Sequence, residues 1–305
     1  MQGIASQHLI REVWAGNLQR EFINFNHTLR LAGPGAVVAI DTEFPGVLQE
    51  NAWKESDETY YLAMKESVEL LPVIQIGLAI GSAYGKCLGA WNFNMKYDLE
   101  KDLHTDAAIR FLKAVGVDFE RHKVEGMEGK LLGALLKGSD LSSCSWVTVS
   151  GMTDLAYLVQ LMDTDLPDTL GDFEALLETA CAGRYEVRDW LPLGSLESLA
   201  KTHGVIRRGR AHTAASDAKV TLELYFKCSD SEGDTVASTD DADSNASMSM
   251  VTSQRGDQLN SSAPRFRSST WGRGHLVQGH LKGHLWGRAR LAAEAEAMSR
   301  SLRCG

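Results

Sequence analysis

Apolar residues along the first three-quarters of the chain fall into two alternating rhythms, one helical and one of strand character. From Leu9 to Leu29, LIREVWAGNLQREFINFNHTL places Leu9, Val13, Leu18, Phe22 and Phe25 at helical spacing and predicts an opening helix. Val37 to Glu43 predicts a strand, followed by a loop-rich stretch. Two more strands are predicted over PVIQIGLAI and CLGAWNFNM, and a lone later one over SWVTVSG. Helical patterns occupy TDAAIRFLKAVG, GKLLGALLKGS, DLAYLVQLM, LGDFEALLETA, LGSLESLAKTHG and AASDAKVTLELYFK. Early strands, then helices with a late strand, predict an α/β fold: a mixed sheet with helices on its faces.

The rhythm stops at Cys228, and composition changes there. Residues 229–263 are rich in Ser, Asp, Thr and Asn, with seven acidic residues against one basic. From Arg265 the sign reverses, to eight Lys and Arg against two Glu. Neither piece has the apolar content to offset its ordering entropy, so residues 1–228 are expected to form the folded domain and 229–305 a disordered tail. Within that tail RARLAAEAEAMSRSL favours a short helix.

A net charge of −9 excludes a polyanion binder that works through bulk positive charge. No run approaches the roughly 18 apolar residues of a membrane span, and the N-terminus lacks a signal peptide's apolar core. Five scattered cysteines, never spaced as CxxC, argue against a disulfide framework or a zinc knuckle. Cytoplasm and nucleus are the expected locations.

Candidate chemistry begins at VVAIDTEFPG, where Asp41 and Glu43 close an apolar strand. Side chains alternate along a strand, so the two carboxylates share a face, with Cα atoms about 6.6 Å apart. Such a pair suits oxygen-loving divalent cations, Mg²⁺ or Mn²⁺; a strand end meeting solvent is the plainer alternative. Asp154 opens the helix of SGMTDLAYLVQLM, and Asp217 opens that of HTAASDAKVTLELYF, five residues after His212. Phe44 follows the acidic pair and suits either core packing or a nucleotide contact. Arg207, Arg208 and Arg210 in IRRGRAH could steer phosphates or simply be solvated. His280 and His284 stand at i, i+4 in GHLVQGHLKGHLWG, but its glycines disfavour the helix a metal pair needs.

Taken in order, DxE on a strand, an aspartate on one helix and His-x4-Asp on a last helix resemble the DEDDh exonucleases, whose fold is RNase H-like. Thr213 stands where the sister class has tyrosine. The likeness narrows over DTEFPGVL, YYLAMKESVELLPVIQIGLAI, WNFNMKYDL, AAIRFLKAVGVDFERHKVEGM and HTAASDAKVT. These blocks resemble the CAF-type (Pop-type) poly(A) ribonuclease subunit of the CCR–NOT deadenylase complex, plant members included. The resemblance implies two divalent metal ions, Mg²⁺ or Mn²⁺, held by Asp41, Glu43, Asp154 and Asp217, with His212 as general base. It implies 3′–5′ removal of poly(A) as 5′-AMP. It also implies partnership with the large scaffold subunit and the second nuclease of that complex.

The chain departs from the family where FHSGYD becomes VSGMTD, although Asp154 and Trp146 remain, and where HQAGSD becomes HTAASD. Fewer aromatics stand between LPDTL and RYEVRDWL than the family carries. The alternative reading is therefore a catalytically weak subunit that mainly scaffolds the complex.

Overall fold

A computed structural model describes residues 10–234, Cys181 and Leu193 excepted. Its strands are β1 (Ile10–Val13), β2 (Val37–Glu43), β3 (Gln75–Gly81), β4 (Cys87–Asn94), β5 (Ser145–Thr148) and β6 (Gly183–Glu186). Helix α1 (Leu18–Ala32) lies between β1 and β2, α2 (Asp57–Leu70) between β2 and β3, and α3 (Asp106–Ala114), α4 (Phe119–Glu125) and α5 (Gly129–Lys137) between β4 and β5. Then follow α6 (Met152–Leu161), α7 (Leu170–Ala180), α8 (Leu196–Thr202) and α9 (Ala214–Asp234).

All six strands join one sheet in the order β1-β4-β3-β2-β5-β6. The central β2, β3 and β4 run antiparallel, while β1 adds parallel to β4 and β5 and β6 extend parallel from β2. Every residue of β3 is buried, and so are all of β2 but Glu43, because helices cover both faces.

Large side chains fill one face. Val38 and Ile40 of β2, Leu78 of β3 and Trp91 and Phe93 of β4 pack there with residues of α1, α2, α6 and α7. The opposite face is built of small ones: Ala39, Ala79 and Ala90 stand in register across β2, β3 and β4. They share a core with Ala215, Ala218 and Leu222 of α9, so this helix lies low on the sheet. Period-two alternation along β2 thereby assigns Val37, Ala39, Asp41 and Glu43 to the α9 face, and Val38, Ile40 and Thr42 to the other.

Four expectations are corrected. The opening segment is not one helix: Ile10–Val13 is an edge strand held by β4, and the helix starts at Leu18. The loop-rich stretch contains α2, capped by Ser56, whose hydroxyl accepts from the Thr59 amide at 3.1 Å. SWVTVSG is not the lone later strand, because Gly183–Glu186 pairs alongside it. Helix α9 continues to Asp234, past the boundary expected at 228. The tail from 235 on, including its expected helix and His280 and His284, lies outside the described residues. Among those described, no helix is long and apolar enough to cross a membrane.

Candidate active site

Three elements converge where β2 ends. Asp41 is buried there and Glu43 half-buried, both facing α9 as the alternation requires. Helix α9 runs along β3 and starts beside Gly77, the register partner of Asp41. A methyl at Gly77 would lie 2.0 Å from the Ala214 carbonyl carbon, so only glycine admits this approach. Asp217, one turn into α9, is buried.

The loop before α9 supplies His212, which adopts a left-handed backbone with φ 59° and packs edge-on against Phe111 of α3 at 4.9 Å. Glu43, His212 and Asp217 each offer a ligand atom within 4.8 Å of the others, and among the described residues they are the one group of three or more such side chains this close. Two carboxylates and an imidazole at that spacing form a donor set fitting a divalent cation.

Asp154 reaches the strand end from the other layer. It is 1% exposed and accepts a 2.5 Å hydrogen bond from Thr42 Oγ1, the residue between the acidic pair. The close group of three is thus Glu43, His212 and Asp217, while Asp154 joins the end of β2 through Thr42.

A residue that sequence reasoning missed holds the loop before Asp154. Glu186 of β6, fully buried, accepts from Thr148 Oγ1 at 3.1 Å and from the amides of Ser150 at 2.9 Å and Gly151 at 3.2 Å. The Arg188 amide donates to it as well, at 3.0 Å. Burial pushes the Glu186 carboxyl up to about 7, with those amides pulling it back down. The loop turns tightly, with Ser150 at φ 59° and Gly151 so close to Thr148 that a methyl would stand 2.3 Å from its Cβ. The signal in the sequence was an acid inside the alternation of RYEV, flanked by Tyr185 and Val187.

One arginine of the basic loop, Arg207, departs from the expected phosphate-steering or solvated role. Arg207 turns inward, forming ion pairs with Asp217 and with Glu197 at 2.7 Å and donating to Ser216 Oγ at 3.0 Å. Burial works against its charge, but Asp217 and Glu197 outweigh it and hold the guanidinium above its ordinary range. Arg207 thus orients Asp217 and is not available to steer phosphate. Arg208 is exposed, and Arg210 donates to the Gly116 carbonyl at 3.3 Å. Phe44 is partly buried against the large-residue core, its ring 5.5 Å from that of Tyr157.

Comparison with known proteins shows which family the chain resembles. Residues 13–128 match the model of the CAF1 family ribonuclease. The poly(A) ribonuclease pop2 of Schizosaccharomyces pombe is 32% identical over 242 residues, covering 74% of this chain and 71% of that protein. The solved structure of S. pombe Pop2p in its Mg²⁺- and Mn²⁺-bound form superposes with a TM-score of 0.66 at 31% identity, over 72% of this chain and 91% of that one. Yeast CAF1 co-crystallised with the NOT1 MIF4G domain gives 0.62 at 25% identity, over 77% and 93%. The helix-flanked mixed sheet is thus the RNase H-like fold that the motifs implied. The chain belongs to the CAF1 family of ribonucleases.

Proposed function

We propose that this chain is an active 3′–5′ exoribonuclease that removes poly(A) from RNA and releases 5′-AMP. The observation that carries the reading is the convergence of Glu43, His212 and Asp217 within 4.8 Å at the end of β2, with Asp41 beside them. Asp41, Glu43, Asp154 and Asp217 would hold two ions, Mg²⁺ or Mn²⁺ as in the related Pop2p. Such ions supply charge stabilisation at the phosphodiester under attack. His212 removes the proton of the attacking water, a role imidazole suits near neutral pH. Phe111 fixes the ring for that task, and Arg207 fixes the Asp217 carboxylate.

The nuclease unit is the expected domain 1–228 carried on by α9 to Asp234. Analogy with yeast CAF1 on NOT1 supports the scaffold subunit of the CCR–NOT complex as its partner. The second nuclease of that complex, and action in cytoplasm and nucleus, are proposed with it. The divergent VSGMTD loop is the ground for the scaffold-only alternative. Its anchoring on Glu186 and the burial of Asp154 against Thr42 support an ordered site instead.

Incubation with Mg²⁺ and a 5′-labelled RNA ending in twenty adenylates tests this. Stepwise shortening that halts at the non-adenylate body is the expected result. No shortening, with retained binding to a NOT1 MIF4G domain, would favour the scaffold reading.

A further inference from the structure

Two rows of polar side chains cross the α9 face of the sheet, an unusual content for its buried centre. One row runs Glu12, Asn92, Gly77, Asp41 through β1, β4, β3 and β2 in register. The next runs Asn94, Gln75, Glu43 through β4, β3 and β2. Asn92 and Asn94 are 0% exposed, so each polar atom there needs a partner.

Those partners fix every amide's orientation. The Ala215 amide, in the first turn of α9, donates to Asn92 Oδ1 at 3.1 Å, and the Ala214 amide donates to Gln75 Oε1 at 3.5 Å. Each oxygen aimed at α9 turns its own NH₂ away. Gln75 Nε2 then donates to Asn94 Oδ1 at 2.8 Å, while Asn92 Nδ2 and Asn94 Nδ2 donate to Glu12 Oε2 at 3.0 and 2.9 Å. The chain of dipoles thus ends on a carboxylate that can only accept. At its other end it satisfies first-turn amides that the helix itself leaves without acceptors.

We propose that Asn92 and Gln75 are positioning residues of the site: they seat the first turn of α9 in the Gly77 notch, setting Asp217 and His212 against Asp41 and Glu43. Glu12, on the edge strand, orients Asn92 directly and Gln75 through Asn94. The proposal rests on the reading of this cluster as a metal-dependent nuclease site, but two of its tests do not need RNA hydrolysis.

The discriminating set is Asn92→Ala, the near-isosteric Asn92→Asp, and the swap Asn92→Asp with Glu12→Gln. In Asn92→Asp two carboxylates face each other. In the swap the amide and the acid trade places, keeping the acceptor for the Ala215 amide and restoring a donor between the two residues. Hydrogen exchange over 211–218 in the metal-free chain should speed up in Asn92→Ala and Asn92→Asp, with α5 unchanged, and slow again in the swap. Calorimetric Mn²⁺ affinity should fall about tenfold in both single variants, the low end for groups that orient metal ligands, and recover to within about threefold in the swap. Turnover on poly(A) should follow the same order through kcat more than KM. Wild-type exchange and Mn²⁺ affinity in Asn92→Ala, or a swap no better than Asn92→Asp, would overturn the proposal. If Asn92→Ala fails to fold, the comparison of Asn92→Asp with the swap decides. A wild-type chain that leaves poly(A) intact would sink the deadenylase reading alone, since exchange and Mn²⁺ titration still report on α9.

Discussion

His212 stands in a left-handed backbone conformation, braced by Phe111, with ligand-competent atoms of Glu43 and Asp217 within 4.8 Å. That placement allows either proton transfer or direct metal ligation, and one substitution separates them. His212→Ala should slow poly(A) removal by about 10²–10⁴, the usual span for a positioned base, and leave Mn²⁺ affinity near wild type in a calorimetric titration. A collapse of Mn²⁺ affinity instead would make His212 a ligand. At this scale the acids on β2 and the His–Asp spacing were legible, because a period of two and a helix start follow from neighbouring residues. Thr42 over Asp154, Glu186 under the Ser150 turn and Arg207 on Asp217 were not. The first two contacts join residues 112 and 36 positions apart, so local pattern carries no trace of them. Arg207 shows the other limit: its charge was visible, but not the two carboxylates that claim it.

Among elements, the long periodic ones were read well and the short or edge ones poorly. Helix α7 occupies the predicted LGDFEALLETA, whereas β1 and β6, four residues each, exist through pairing with β4 and β5. The spacing of IREV is compatible with helix until β4 offers it a ladder. Gly77→Ala probes the element contact that matters most. Its methyl would meet the Ala214 and Ala215 backbone, so α9 must lift, at a cost of about 1–3 kcal/mol for overpacking. A lower melting temperature together with a slower poly(A) reaction is expected; an unchanged rate would show that the site tolerates the shift.

Helix α4 makes a second prediction. His122 is buried, its Nδ1 is 2.7 Å from the Met95 carbonyl, and burial above all lowers its pKa. The native state therefore keeps the ring neutral while the unfolded chain takes up a proton below about pH 6.5. The unfolded state binds more protons there, so stability falls as pH drops from about 6.5 towards the depressed native value. Thermal melts between pH 7.5 and 5.5 should show this loss, and His122→Leu should flatten the slope.

For the molecule as a whole, every site residue lies between Asp41 and Asp217, and the described fold closes with α9 at Asp234. A chain ending at Asp234 is expected to shorten poly(A) at the full-length rate; a loss of rate with unchanged circular dichroism would assign a catalytic contribution to residues beyond it. The α/β class and the existence of strands β2 to β5 were readable, since β2 and β3 are apolar runs. The seating of α9 was not, since it depends on small residues such as Ala39, Ala79 and Ala90 coming into register only when the sheet forms.

The central claim is that the acids at the end of β2 make this chain a 3′–5′ remover of adenylates. The most direct test compares the wild type with Asp41→Ala on one RNA, 5′-labelled and ending in twenty adenylates, in Mg²⁺, scoring both the ladder and the released nucleotide. The account predicts stepwise loss of 5′-AMP from the wild type, stopping at the non-adenylate body, and no loss from a folded Asp41→Ala. An Asp41→Ala chain that trims at the wild-type rate, or a wild type that releases no 5′-AMP, would contradict it.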